Sequence, residues 1–188
     1  MEELIRDFDN FLIFDENQKI TTGAQFEVAT LLSSEYSSQI FKKNCSEVTF
    51  RQDVAKRIFT VFIKGQLGKV LRYEMDDSIS PGHGCKQPDE CYLYAPKGIL
   101  FIIEKKFQKT TGSTCEKIQT PDFKLWQYRR ILPSFKIHYI YCLSSWFKIN
   151  CKAELEYLEY KRIPYFFADE SNYKSNLINF MLTSEDYQ

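Results

Sequence analysis

The sequence predicts an α/β domain, and three observations carry that prediction. The first is a nearly unbroken apolar run, Gly98-Ile99-Leu100-Phe101-Ile102-Ile103, too short for a long helix and rich in β-branched residues. The second is an aromatic segment just before it, Cys91-Tyr92-Leu93-Tyr94, separated from the run by the turn signal Ala95-Pro96-Lys97-Gly98. Together these read as a hairpin with Asp89 near the start of one strand and Glu104 near the end of the next. The third is the alternation of helical and strand patterns after the hairpin, the signature of a sheet with helical connections.

Taken in order, Thr21-Thr22-Gly23 opens a helix carrying Phe26, Val28, Ala29, Leu31 and Leu32. Ser46 can cap a second helix, because Phe50, Val54, Ile58 and Phe62 recur every four residues on one face. Residues 69–74 read as a first strand, and Ser80-Pro81-Gly82-His83-Gly84 as a loop leading to the hairpin. Residues 1–66 thus read as a helical N-terminal part, and 67–188 as a mixed α/β part of the same domain. Beyond the hairpin, Gly112-Ser113 with Glu116 has the form of a capping box. Thr120-Pro121-Asp122 is a second helix start with proline at the first helical position. That helix should end before Pro133 and bury Ile118, Leu125, Trp126, Tyr128, Ile131 and Leu132. Residues 136–143 read as a strand, 152–161 as a helix and 163–168 as a short last strand. Trp126, Trp146, Tyr139 and Tyr141 are expected in the core.

Composition bounds the function without naming it. With 188 residues, 44% hydrophobic and 16% aromatic, the chain is expected to fold as one globular domain with a proper core. Its 25 basic and 25 acidic residues cancel, so it lacks the overall positive charge common in proteins that hold duplex DNA by charge alone. The charge is nonetheless uneven. Within 97–130, eight basic residues (Lys97, Lys105, Lys106, Lys109, Lys117, Lys124, Arg129, Arg130) face three acidic ones (Glu104, Glu116, Asp122). The start, Met1-Glu2-Glu3-Leu4-Ile5-Arg6-Asp7, lacks the features of a secretory signal, and no apolar run approaches bilayer length. The six cysteines show no CxxC spacing, so a cytoplasmic protein with reduced thiols is expected, and a zinc site from His83, Cys85, Cys91 and Cys115 is not.

The chemistry concentrates where the apolar run ends in Glu104-Lys105-Lys106. Strand side chains alternate, so Glu104 and Lys106 project from one face and Lys105 from the other. An antiparallel hairpin brings Asp89 beside Glu104, while Glu90 is sent to the opposite face. Hard divalent cations take oxygen ligands, commonly one or two carboxylates with waters and phosphate oxygens. An ammonium beside such a pair can orient a water and offset charge growing on phosphorus.

Pro88-Asp89, a spacer of 14 residues, then Glu104-Lys105-Lys106 resembles the catalytic signature of PD-(D/E)xK nucleases. The surrounding Lys86-Gln87-Pro88-Asp89-Glu90, Phe101 to Gln108 and Gly112 to Thr120 are most similar to type II restriction endonucleases of that superfamily. The resemblance covers about a quarter of the chain. It implies a three-layer, restriction-endonuclease-like core, a mixed sheet flanked by helices. It implies Mg²⁺, with Mn²⁺ able to substitute, held by Asp89, Glu104 and the Lys105 carbonyl, with Lys106 as the catalytic lysine. Glu27 on the first helix is in a suitable place to reach the metal, although a surface glutamate is the simpler reading. Lys86, Gln87, Gln108, Ser113, Lys117, Lys124, Arg129 and Arg130 are the candidate DNA contacts, lysines for phosphate and Gln or Arg for base edges. The expected partners are double-stranded DNA and a second copy of the chain, each subunit cutting one strand. A nicking or junction-resolving nuclease of the same fold, or a non-catalytic nucleic-acid-binding module, are the competing expectations.

Overall fold

A seven-stranded sheet organises the protein, in strand order β1-β2-β3-β4-β5-β6-β7. The structure is a computed structural model and describes residues 20–41, 45–63, 67, 87–110, 113 and 115–184. The strands are β1 Tyr36–Phe41, β2 Ser46–Phe50, β3 Phe59–Ile63, β4 Glu90–Tyr94, β5 Ile99–Lys106, β6 Lys136–Leu143 and β7 Tyr165–Phe167. Pairing is antiparallel from β1 to β5 and parallel from β5 to β7. Helix α1 (Gly23–Ala29) precedes the sheet, and α2 (Pro121–Ile131) is the crossover that parallel β5 and β6 require. Helices α3 (Trp146–Asn150) and α4 (Lys152–Tyr160) connect β6 to β7, and α5 (Tyr173–Thr183) follows the sheet.

The apolar run at β5 is explained by burial on both faces. Leu100 and Ile102 join a core with Leu125, Tyr128, Phe147, Leu155 and Leu158, from the α2, α3 and α4 side. Ile99, Phe101 and Ile103 join a second core with Phe26, Tyr173, Leu177, Ile178 and Met181, from α1 and α5. A strand covered on both sides has no solvent face for polar residues. Helices on both faces of a mixed sheet bear out the α/β expectation.

Local signals explain several elements. Thr22 caps α1 by accepting from the Gln25 backbone N–H, and the Gln25 side chain returns the bond in a capping box. Gly98 turns the β4–β5 connection with φ of 60°, the left-handed region that glycine enters without steric cost. Pro121 stands at the start of α2, and the helix ends at Ile131, before Pro133.

The expected second helix from Ser46 is corrected. Ser46–Phe50 and Phe59–Ile63 are strands β2 and β3, paired in antiparallel register with Val48 opposite Phe59. The four-residue spacing that suggested a helix spans two strands. Val48, Phe50, Phe59 and Val61 point into the α1/α5 core, whereas Val54 and Ile58 lie exposed in the connection. Among the described residues of this part, three strands follow a single α-helix, α1. The expected strand at 69–74, the loop at 80–84, His83 and Cys85 lie outside the described residues.

Two further corrections concern side chains. Trp126 is 54% exposed on α2, not core, while Tyr139 and Tyr141 are fully buried and Trp146 is partly buried against the core. The reduced-thiol expectation fails at Cys115, which is joined to Cys151 in a disulfide with Cα atoms 5.8 Å apart. Cys45, Cys91 and Cys142 are buried. Among the described residues no helix is long and apolar enough to cross a membrane.

Candidate functional site

The register of the β4–β5 hairpin builds the site. Glu90 pairs with Ile103, which sets Asp89, one residue earlier, beside Glu104, one residue later. Asp89 is fixed there by the neighbouring strand: its Oδ2 accepts a 2.7 Å hydrogen bond from the Lys105 backbone N–H. Pleating then divides the charged strand end between two faces.

On the α2 side, the Glu104 carboxylate is the hub. Its Oε1 accepts from Lys106 Nζ at 2.6 Å and from Lys124 Nζ at 2.6 Å. Lys106 Nζ also donates to the Lys105 carbonyl at 3.0 Å, so that carbonyl faces the same cluster. Burial pushes the Glu104 carboxyl upward, but the two ammonium groups outweigh it and hold the group below its ordinary range. Asp89 moves the other way. Burial, then the Glu104 charge, raise it, the Lys105 N–H and Lys106 oppose, and the Glu27 charge adds to the rise. Glu27, on α1, is thus near enough to be felt by Asp89.

On the opposite face, Lys105 forms a buried ion pair. Its Nζ lies 2.8 Å from Glu90 Oε2, with both side chains 1% exposed, and donates to the Glu27 carbonyl at 3.0 Å. Glu90 also accepts from the Tyr92 hydroxyl at 2.5 Å and the Leu32 N–H at 3.4 Å. The expected alternation holds, and Lys105 on its own face is buried rather than solvated: the pair anchors α1 and the 3₁₀ turn Leu32–Glu35 to the sheet.

Lys124 is the residue misassigned from sequence. Expected to contact DNA, it is 7% exposed and spent on Glu104, with its Nζ 5.7 Å from the centre of the Tyr139 ring. The signal was available. Lys124 precedes Tyr128 by four residues, on the buried stripe of α2, where a charge requires a partner.

The bonds of this cluster do not involve the remaining candidate contacts. Gln87, Ser113, Lys117, Arg129 and Arg130 are exposed. Gln108 is tied into the exit of β5: its N–H donates to Ser144 Oγ at 3.2 Å, and its Nε2 to the Thr110 carbonyl at 2.6 Å. The Lys117 carbonyl accepts from Thr120 Oγ1 at 3.2 Å, holding the turn before α2. Lys86 lies outside the described residues.

The site therefore gathers two carboxylates, Asp89 and Glu104, and two ammonium groups, Lys106 and Lys124, with the Glu27 charge acting on Asp89 from α1. The bonds above use Asp89 Oδ2 and Glu104 Oε1, leaving the second oxygen of each carboxylate outside them. No family model matches the chain, and neither a curated protein nor a solved structure matches it.

Proposed function

We propose that the protein is a Mg²⁺-dependent endonuclease that hydrolyses phosphodiester bonds of double-stranded DNA, in the manner of a type II restriction enzyme. The observation that carries the reading is the convergence of Asp89 and Glu104 on one face of the sheet, with Lys106 bonded to Glu104.

The residues fit a divalent ion. All donors are hard oxygens, and a dication would offset both causes that raise Asp89, its burial and then the Glu104 charge beside it. Asp89 and Glu104 would hold it, with the Lys105 carbonyl and Glu27 as further donors. Such an ion supplies charge neutralisation at the scissile phosphate and activation of the attacking water.

The chain's own groups do the rest. Asp89 is pinned by the Lys105 N–H, so its free oxygen keeps one direction without reorganisation. Lys106 places its partly exposed ammonium at the site, 2.6 Å from Glu104 Oε1, where it would orient the attacking water and stabilise charge on the phosphoryl oxygens. Lys124 stays on Glu104 and holds it ionised. One such site per chain implies that cutting both strands takes two copies, acting on a symmetric sequence.

Incubation of purified protein with unmodified plasmid and Mg²⁺ tests this. Discrete linear fragments support the restriction-enzyme reading. Nicked circles, or cuts confined to branched DNA, transfer it to a repair nickase or junction resolvase. Tight DNA binding with no cleavage in Mg²⁺ or Mn²⁺ refutes the catalytic reading.

A further inference from the structure

The outer side of α2 carries a feature that cleavage chemistry leaves unused. Phe123 and Trp126 are 58% and 54% exposed, and their rings stack with centroids 5.8 Å apart at an interplanar angle of 26°. The Arg130 guanidinium lies 5.6 Å from the centre of the Trp126 ring. Spacings of three and four residues put all three on one stripe, away from buried Lys124, Leu125 and Tyr128. Single exposed apolar residues need no explanation, but a contiguous aromatic pair flanked by arginine is the composition of a binding surface.

We infer that this stripe is a stacking platform for unpaired nucleobases, with Arg129 and Arg130 meeting the adjoining phosphates. Aromatic rings accept any base by its π-face, a sequence-tolerant contact worth about 1–3 kcal/mol per base. The paired bases of a duplex hide those faces, so the platform selects single-stranded or extruded nucleotides. The local charge suits a polyanion. Asp122, the acid on this side of α2, is already held by Lys161 at 2.7 Å and by the Tyr157 hydroxyl at 3.0 Å, while Arg129 and Arg130 are exposed. A two-fold contact between copies through the same stripe would gather the arginines of both copies in one small interface, a concentration of like charge that opposes association.

The platform is adjacent to the acid site in the chain. Phe123 directly precedes Lys124, whose ammonium holds Glu104, so one turn of α2 presents both. The inference deepens the nuclease reading, on which it rests for its link to cleavage. It adds to the duplex substrate of that reading an affinity for bases extruded from the stack or left unpaired.

Trp126 and Trp146 are the only tryptophans in the chain, so Trp146→Phe leaves Trp126 as the sole indole reporter. This variant is titrated in EDTA, which keeps cleavage out of the measurement, with single-stranded oligothymidine of about 20 nucleotides and with a duplex of the same length. Single strand should quench Trp126 emission to saturation and bind roughly tenfold more tightly than duplex. Phe123→Ala and Arg130→Ala, both at exposed positions and checked for folding by circular dichroism, should each weaken single-strand binding several-fold. Absence of quenching, or equal affinity for the two forms, overturns the inference. So does an emission change that follows protein concentration alone, with a dimer in sedimentation that Trp126→Ala abolishes, because that assigns the stripe to self-association. Quenching with no plasmid cleavage in Mg²⁺ refutes the nuclease reading while sustaining the platform, and the reverse pattern does the opposite.

Discussion

Lys124 Nζ and Lys106 Nζ both lie 2.6 Å from the same oxygen of Glu104, although they come from α2 and from β5. The two contacts differ in burial: the Lys124 side chain is 8% exposed and that of Lys106 is 18%. The more buried ammonium is the structural one. Lys124→Met leaves Glu104 with one cation in a largely desolvated place, and should lower unfolding free energy by about 1–3 kcal/mol. Urea denaturation at neutral pH measures it. A variant as stable as the parent would show that Lys124 is not needed to hold Glu104.

Lys106 is the more accessible cation and the one assigned to chemistry. Lys106→Ala should abolish cleavage, with DNA binding largely retained and stability changed by less than the Lys124 substitution. Single-turnover cleavage alongside a filter-binding measurement separates the two effects. Undiminished turnover would remove Lys106 from the mechanism.

Asp89 should act against stability in the absence of a cation. Its carboxyl is raised in the fold, so the folded state binds that proton more tightly than the unfolded state. The ionised group is therefore unfavourable at neutral pH, and the cost disappears as pH falls through the raised value. Asp89→Asn can keep the bond from the Lys105 N–H, so it should melt at the same temperature as the parent or higher without divalent ions. Added Mg²⁺ should raise the melting temperature of the parent but not of this variant. A marked fall in melting temperature on substitution would contradict a cost of burying the charged Asp89 beside Glu104.

The buried pair of Lys105 and Glu90 calls for a different test. Removing one partner strands a charge that is 1% exposed, so Lys105→Met should cost about 3–5 kcal/mol. Replacing both, Lys105→Met with Glu90→Leu, should recover much of that loss, because no uncompensated charge remains. Equal losses in the single and double variants would show that hydrogen bonds to Glu90 from Tyr92 and Leu32, not the charge pairing, dominate.

His138 supplies the pH dependence. It is stacked on Phe101, with ring centroids 5.1 Å apart, and burial lowers it from 6.5 to about 4. The folded state then binds fewer protons than the unfolded state between those values. Stability should decline as pH falls from about 6.5 towards about 4. His138→Phe removes the titrating group and should flatten that part of the profile in denaturant melts. An unchanged slope would mean other groups set the acid limit.

Some of this molecule could be read from the chain because the cause was local. Thr22 with Gln25 marks the start of α1, Pro121 the start of α2, and Ala95 to Gly98 the turn between β4 and β5. The unbroken apolar residues of β5 required cover on both faces. The period of two then assigned Glu104 and Lys106 to one side and Lys105 to the other. Each conclusion depends on neighbours within a few residues.

Other features depended on partners far away in sequence. Ser46–Phe50 and Phe59–Ile63 became strands because each lies beside the other in the sheet, a pairing that overrides the four-residue apolar spacing. Lys124 looked like one more basic residue on a helix until packing turned it inward to Glu104, 20 residues earlier. Lys105 was resolved only by the burial of Glu90, and Cys115 only by its approach to Cys151. The physical reason is common to all four. Capping, turns and pleating are set by the backbone at the residue itself, whereas the state of a charge or thiol is set by which distant group the assembled sheet and its covering helices bring against it.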